Sequence, residues 1–294
     1  MAEMAPSATA IVIDNASSDR TLEQVRAHSP VSGAVNLIAN QKNRGFAAAV
    51  NQGVAASSAE YLLLLNPDTR LLSTLDDLVE ASHKYGLASG KLVDKTGSPQ
   101  QGFTIRRFPA PATFWFELLG LNRLWPSNPV NRRYRYLDYD LDRKGLVEQP
   151  AGAFLMFRRD VWKRLSGLDE SFYPVWFEDV DFCRRASDAG YATAYVPRVA
   201  AEHLGGHSVT QVPEGCRWRY WCVSLLTYAG KHFGPSAYRG VCLAVLLTAV
   251  PRTVPRMIRG RSLSPIFSCI KIIRFAVRCL VSPRRPGEDP NLVS

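Results

Sequence analysis

The feature that most constrains this chain is a change of hydrophobic period that recurs along its first 65 residues. Thr9 to Ile13 is a short β-branched run, Thr21 to His28 carries a helical pattern, and Val35 to Ile38 returns to strand. Gly45 to Ala56 reads as an alanine-rich helix. Tyr61 to Leu65 is so uniformly apolar that a strand buried on both faces is expected. Strand, helix, strand, helix, strand predicts an α/β fold with a mostly parallel, Rossmann-like sheet and crossover helices. Ligands of such sheets sit beyond the carboxyl ends of the strands. The polar clusters Asp14-Asn15, Asn40 to Asn43 and Asn66-Pro67-Asp68 all fall there.

Beyond the first third the pattern loosens. Gly97 to Pro150 is rich in Pro, Arg and Tyr and encloses Phe114-Trp115-Phe116, which reads as long loops and short elements forming an acceptor-side lid. Ala151 to Phe157 predicts a strand and Asp160 to Leu165 a helical turn. Glu178 to Ala189 predicts a helix ended by Gly190, and Tyr191 to Val196 a closing strand with a loop after it. From Glu214 onward the composition turns helical, over Arg217 to Phe233, Tyr238 to Val250 and Ser264 to Val281, with Pro251, Pro255 and Pro265 expected to break the region into short pieces. These shifts predict a catalytic domain over 1–213 and a basic, helical region over 214–294.

The net charge of +10 belongs to that second region. Between Lys231 and Gly287 stand eleven of the 36 basic residues and no acid, so elsewhere the two signs nearly balance. On the last predicted helix Lys271, Arg274 and Arg278 form one basic stripe among Ile, Phe and Val, the pattern of a helix lying in an anionic membrane interface. The alternative is a helix packed on the core with a solvated basic edge. Nucleic acid is not an expected partner, because the cations alternate with aliphatic side chains and not with stacking aromatics. The longest uncharged apolar run, Gly240 to Val250, falls short of the ~20 residues that span a bilayer, so crossing is not expected. The start MAEMAPSATA lacks a basic segment followed by an apolar one, and the six cysteines show no metal-binding spacing. Both features point to a reducing, cytoplasmic setting with the thiols as core residues.

Four clusters could carry chemistry. Asp68, with Asn66 before it, follows a strand where a hard cation and a diphosphate could meet, although acids there are also common turn formers. Glu178, Asp179 and Asp181 crowd a helix start between Trp176, Phe177 and Phe182. The helix dipole explains one or two of them, and crowding would ready a carboxylate as a base. His203 stands near Gly205, Gly206 and Ser208 on a predicted loop, with room to reach an ion or phosphate. The run from Asn43 to Gly53 opens a helix with small residues that admit a ligand closely.

Taken in order, several motifs carry a resemblance. They are Ile13-Asp14-Asn15-Ala16-Ser17-Ser18-Asp19, the run from Asn43 to Gly53, Leu65-Asn66-Pro67-Asp68-Thr69, Gly152-Ala153-Phe154-Leu155, Gly167-Leu168-Asp169-Glu170-Ser171-Phe172, Phe177 to Ala186, and His203 to Ser208. Together they resemble glycosyltransferase family 2, in its bacterial rhamnosyltransferase-like branch, across about residues 9 to 233. The resemblance implies a GT-A fold and an inverting transferase that moves a sugar, rhamnose or another hexose, from a nucleotide-diphosphate donor. The acceptor would be a lipid-linked glycan or polysaccharide of the cell envelope, reached from the inner face of the cell membrane. It further implies a divalent cation, Mg2+ or Mn2+, held by Asp68 and His203, with Asn66 replacing the first acid of the family's metal motif. Asp14 would contact the nucleotide base, and Asp179, with Glu178 beside it, would act as general base. Asn15, Asn43, Gly45, Phe46, Asn51, Asn66, Gly152 and Trp176 are expected in the substrate site.

Compared with that family, a strand and helix of roughly 30–40 residues would precede Asp14. The expected explanation is a start assigned too late. The rival readings are a truncated, inactive nucleotide-sugar-binding scaffold at the membrane and a nucleotidyltransferase, for which no Gly-x-Gly-x-Arg loop is present.

Overall fold

A computed structural model of the chain describes residues 8–28, 35–205, 214–260 and 264–282. The chain forms two compact units. The first comprises Met1–Arg106, Tyr139–Pro174 and Glu178–Gly205, and the second Arg107–Asp138, Val175–Phe177 and Gly206–Ser294.

In the first unit β1 (Ala10–Asp14) and β2 (Val35–Ala39) are parallel, joined through α1 (Thr21–His28) as the alternating period predicts. The main sheet orders β3 (Tyr61–Leu65), β9 (Phe154–Arg158), β5 (Gly86–Val93), β10 (Ala192–His203) and β4 (Thr69–Leu71), with β7 (Gly145–Val147) added on β10. Only β5 and β10 run parallel, so this sheet is mixed and not mostly parallel. The reason lies in the connection. After β5 the chain passes through the small antiparallel pair β6 (Ile105–Arg106) and β8 (Gln149–Pro150) and re-enters as β9 beside the end it left. A return at the same end gives antiparallel neighbours.

Side chains of β9 alternate between two cores. Phe154 and Met156 join Leu78 and Ala81 of α3 (Asp76–Tyr85), while Phe157 stacks on Trp162 of α7 (Arg159–Arg164) with ring centroids 4.8 Å apart and meets Phe182 of α8 (Glu178–Asp188). Helices therefore cover both faces. The leucine strand β3 departs from expectation: among the described residues it pairs with β9 alone, and all five of its side chains are half-buried because it is an edge. β10 also departs from its expected end. It continues past Val196 to His203, because a bulge between Val196 and Ala200 absorbs Pro197, Arg198 and Val199.

The second unit contains α4 (Pro111–Leu118), α5 (Leu121–Leu124), α6 (Pro129–Tyr134), α9 (Glu214–His232), α10 (Pro235–Gly260) and α11 (Ser264–Val281). The 107–138 stretch, expected as part of a catalytic domain over 1–213, thus belongs with the C-terminal helices. Phe114 of α4 packs on Phe177, Tyr228 and Phe233 with centroids 5.6–6.1 Å apart. Arg252 of α10 donates to the carbonyls of Glu117 and Leu118 and lies over the Trp218 ring. α10 also runs unbroken through Pro251 and Pro255, contrary to the expected short pieces. Each interior proline costs about 3 kcal/mol in a helix. Complete burial of Val241, Cys242, Ala244, Val245 and Ala249 offsets it, and the Thr248 and Thr253 hydroxyls donate to the Ala244 and Ala249 carbonyls at 2.7 Å. As a result Pro235–Pro255 is long and apolar enough to cross a membrane by length and composition, with 44% of it buried in the protein. The six cysteines are free thiols, five of them buried.

Candidate active site

The end of β1 is organised by asparagines. Asn15 Nδ2 donates to Asn43 Oδ1 (2.9 Å) and the Gly45 carbonyl (3.1 Å), while its Oδ1 accepts from Asn40 Nδ2 (3.2 Å) and the Arg44 amide (3.0 Å). All four hydrogen-bonding positions of this side chain are therefore used within the protein, and its work is to shape the 40–45 loop. Asn43 Oδ1 also accepts from the Gly45 amide (2.8 Å). Gly45 has φ +86°, and a Cβ there would lie 2.8 Å from the Tyr173 ring, so only glycine lets α2 (Phe46–Ala55) begin here. The Phe46 amide donates to the Pro174 carbonyl (2.8 Å). Asn51 on α2 clamps the Gly167–Glu170 turn. Its Nδ2 donates to the Leu168 carbonyl and Glu170 Oε1, both at 2.9 Å, and its Oδ1 accepts from the Leu168 amide.

Asp14 differs from these asparagines. It is buried, its Oδ2 accepts from the Ser17 amide (3.3 Å), and its Oδ1 has no hydrogen-bond partner. An open acceptor in a buried position is costly unless a ligand donor meets it.

The acidic start of α8 separates into roles. Asp181 is fully buried and pairs with Arg185 (2.7 Å), whose guanidinium also donates to the Leu165 and Gly167 carbonyls. That acid is structural. Glu178 is buried at the first position of the helix. Asp179 accepts from the Gly152 amide through Oδ2 and from the Val180 amide through Oδ1, both at 2.8 Å. Desolvation raises its pKa, against the lowering effect of these amides and of the Arg106 charge. A Cβ on Gly152 would stand 2.9 Å from Asp179, so that glycine makes the close approach possible.

Asp68 and His203 meet across the β4–β10 edge. His203 is the last residue of β10, opposite Thr69, and therefore sits on a strand end and not on the loop expected for it. The Leu204 amide donates to the Asp68 carbonyl (3.0 Å). His203 Nε2 lies 3.6 Å from Asp68 Oδ1, both side chains are under 10% exposed, and that oxygen accepts no hydrogen bond. Gln100 determines what faces it. Gln100 Nε2 donates to the His203 carbonyl (2.7 Å), which leaves its Oε1 to accept from His203 Nδ1 (3.1 Å), and Phe103 stacks flat on the imidazole (5.1 Å, 7°). The proton is thereby held on Nδ1, and Nε2 turns a lone pair toward an open carboxylate oxygen. Desolvation keeps this histidine below the ordinary imidazole range although Asp68 pulls the other way.

Two buried lone-pair donors face to face form half of a cation site. Among the described residues no group of three His, Cys, Asp or Glu completes one. That donor set fits a hard divalent ion which takes its remaining oxygens from water and a diphosphate. Asn66 and Asp179 are linked through one dipeptide, since the Ala153 carbonyl accepts from the Asn66 amide (3.0 Å) and the Gly152 amide binds Asp179.

Sequence reasoning missed Gln100, Phe103 and Arg106, which lay inside a stretch read as loops. The Pro99-Gln100 pair carries no spacing signal, and only the fold brings it to His203. Trp176 belongs to the second unit, half-buried at φ +84° and followed by Phe177 at φ +72°. Such backbone costs about 1–3 kcal/mol per residue, and the packing of Phe177 on Phe114 and Tyr228 holds it. Gly206 and Ser208 lie outside the described residues.

The chain as a whole is similar to known proteins. The family model of glycosyl transferase family 2 matches residues 6–165, and that of glycosyltransferase like family 2 matches residues 121–220. Rhamnosyltransferase WbbL of Escherichia coli K12 is 28% identical over 207 residues, 67% of this chain and 73% of WbbL. The protein y4gI of Sinorhizobium fredii is 24% identical over 198 residues, 66% of this chain and 21% of y4gI. A structure of GalNAc-T7 with UDP, GalNAc and Mn2+ superposes with a TM-score of 0.51 at 13% identity over 76% of this chain, which spans 45% of that protein. This likeness extends to the fold, which is GT-A. With more than half its length matched by the family model and a rhamnosyltransferase among its relatives, the chain belongs to glycosyl transferase family 2.

Proposed function

We propose that this glycosyltransferase is inverting and metal-dependent. It moves a hexose or deoxyhexose, rhamnose foremost, from a nucleotide-diphosphate sugar to a glycan or lipid-linked acceptor on the inner face of the cell membrane, in building envelope polysaccharide. The observation that carries the reading is the facing pair Asp68 and His203, two buried ligand atoms 3.6 Å apart, of which the carboxylate oxygen accepts no hydrogen bond. The name of the relative WbbL supports the deoxyhexose.

Asp14 offers its open Oδ1 to an N–H of the nucleobase at the end of β1. Asp68 and His203 would hold Mg2+ or Mn2+, which when bound would neutralise charge on the donor diphosphate. Asp179 takes the proton from the acceptor hydroxyl as that oxygen bonds to the anomeric carbon and the carbon–diphosphate bond breaks. Desolvation makes this carboxylate a stronger base than one in water, while the Gly152 and Val180 amides hold its direction. Attack opposite the leaving group inverts the carbon.

A panel of nucleotide-diphosphate sugars, assayed for released nucleoside diphosphate with Mg2+ or Mn2+, tests the reading. Release that disappears on chelation is expected. Donor binding without release from any sugar would instead support the scaffold reading.

A further inference from the structure

The helical unit presents an apolar surface that the transfer chemistry does not use. On α10 Leu243, Leu247, Val250, Val254 and Ile258 follow one another at steps of three or four and are 46–72% exposed. They form a single stripe along the helix, opposite the buried face of Val241, Ala244, Val245 and Ala249. The outward face of α11 carries Phe267, Ile270, Val277 and Val281, with Phe267 and Val281 about two-thirds exposed or more. Lys271, Arg274 and Arg278 are interleaved on that same face, also exposed, and Arg239 stands at the head of the α10 stripe. No carboxylate occurs anywhere between Lys231 and Gly287. A stripe of exposed apolar side chains of this length on a helix packed into a folded unit marks a binding face.

We infer that this two-helix face is the membrane-binding surface of the enzyme, lying in the plane of an anionic bilayer with the α10 stripe inserted and the α11 cations at the headgroups. Charge chooses the occupant. A second copy docked through the same face would set Lys271, Arg274 and Arg278 against their own kind, with no acid on either stretch to compensate, whereas anionic lipid satisfies both the apolar and the cationic side chains. Burial chooses the orientation. A spanning α10 would have to shed the packing of its buried face and take Arg252, bound to the Glu117 and Leu118 carbonyls and Trp218, into hydrocarbon. The inference rests on the proposed function only for the reason such a surface is useful, since a lipid-linked acceptor lies in the membrane that the surface would bind.

The test uses the full chain, without donor, and sealed vesicles of phosphatidylcholine with or without phosphatidylglycerol. Binding to the anionic vesicles and little to the neutral ones is expected. The triple change Lys271→Gln, Arg274→Gln, Arg278→Gln should weaken it on the order of 100-fold. Leu247→Gln with Val254→Gln should weaken it at least about tenfold while removing the part of the binding that survives high salt. Melting temperatures near wild type show that the variants fold. Equal binding to neutral vesicles, resistance to alkaline extraction, or a dimer in solution that the Leu247→Gln, Val254→Gln variant dissolves would each overturn the proposal, in favour of a nonspecific, a spanning or a self-association surface respectively. The Asp179→Asn enzyme should bind vesicles like wild type, so a failed transferase reading and a failed membrane reading give different results.

Discussion

Both units of this protein depart from the rule of polar outside and apolar inside, and the departures tied to the two proposals differ in kind. In the first, acceptor atoms of Asp14 and Asp68 are buried without partners. In the second, Leu247, Val250 and Ile258 stand in solvent on a helix whose other side is fully buried. A long stripe of exposed apolar side chains and a buried carboxylate oxygen with no donor are each costly, and each is the observation on which one of the two proposals rests. In the proposed reading the first unit takes a small, charged, hydrogen-bonding ligand, and the second an anionic membrane surface.

That contrast can be broken by substitution. The largest effect is expected at Asp179, where Asn should lower the rate of transfer about 10³-fold while donor affinity, read by calorimetry, stays within about threefold. Equal loss of binding and rate would remove the carboxylate from the role of base. The wild-type pH profile sharpens the same point. The carboxylate must be ionised to take a proton, and burial raises its pKa, so activity should rise with pH along a limb lying above the ordinary Asp range. A profile flat down to that range would contradict it.

Next comes Gln100, which is hydrogen-bonded to the histidine. Gln100→Leu removes the acceptor that keeps the His203 proton on Nδ1, and Mn2+ affinity followed by electron paramagnetic resonance should fall about 10–100-fold. Gln100→Glu restores an acceptor and should recover part of that loss. A smaller effect is expected at Asn51, where Ala removes three hydrogen bonds to Leu168 and Glu170 and should cost about 1–3 kcal/mol in denaturant unfolding. The smallest belongs to the other unit. Leu247→Gln should change unfolding stability by no more than about 0.5 kcal/mol, because the side chain is 63% exposed and has little packing to lose. A large loss there would mean that the stripe packs on the protein itself.

Local pattern was readable in proportion to how much of each element is local. Thr21–His28, Tyr61–Leu65 and Ser264–Val281 appear in the structure with the bounds their periodicity predicts. β4, α3 and β5, between Thr69 and Val93, carry periodicity too weak to predict these elements. The proline breaks anticipated at Pro251 and Pro255 did not occur, because tertiary burial of one helix face outweighs a local penalty. His203 passed for a loop residue because a bulge after Val196 hides the continuation of its strand.

The sequence alone determined the alternation that makes an α/β unit, the ordered motifs of the family and the segregation of positive charge into the last third, since each is a property of neighbours along the chain. Tertiary structure alone decided which polar side chains are already satisfied. Asn15, Asn51 and Asp181 stand in motifs as suggestive as those of Asp14, Asp68 and Asp179, yet their hydrogen-bonding positions are occupied by the Arg44 amide, the Leu168 backbone and Arg185. A hydrogen-bond partner is chosen by proximity in space, often from more than a hundred residues away, and no local spacing records which donors and acceptors folding leaves open.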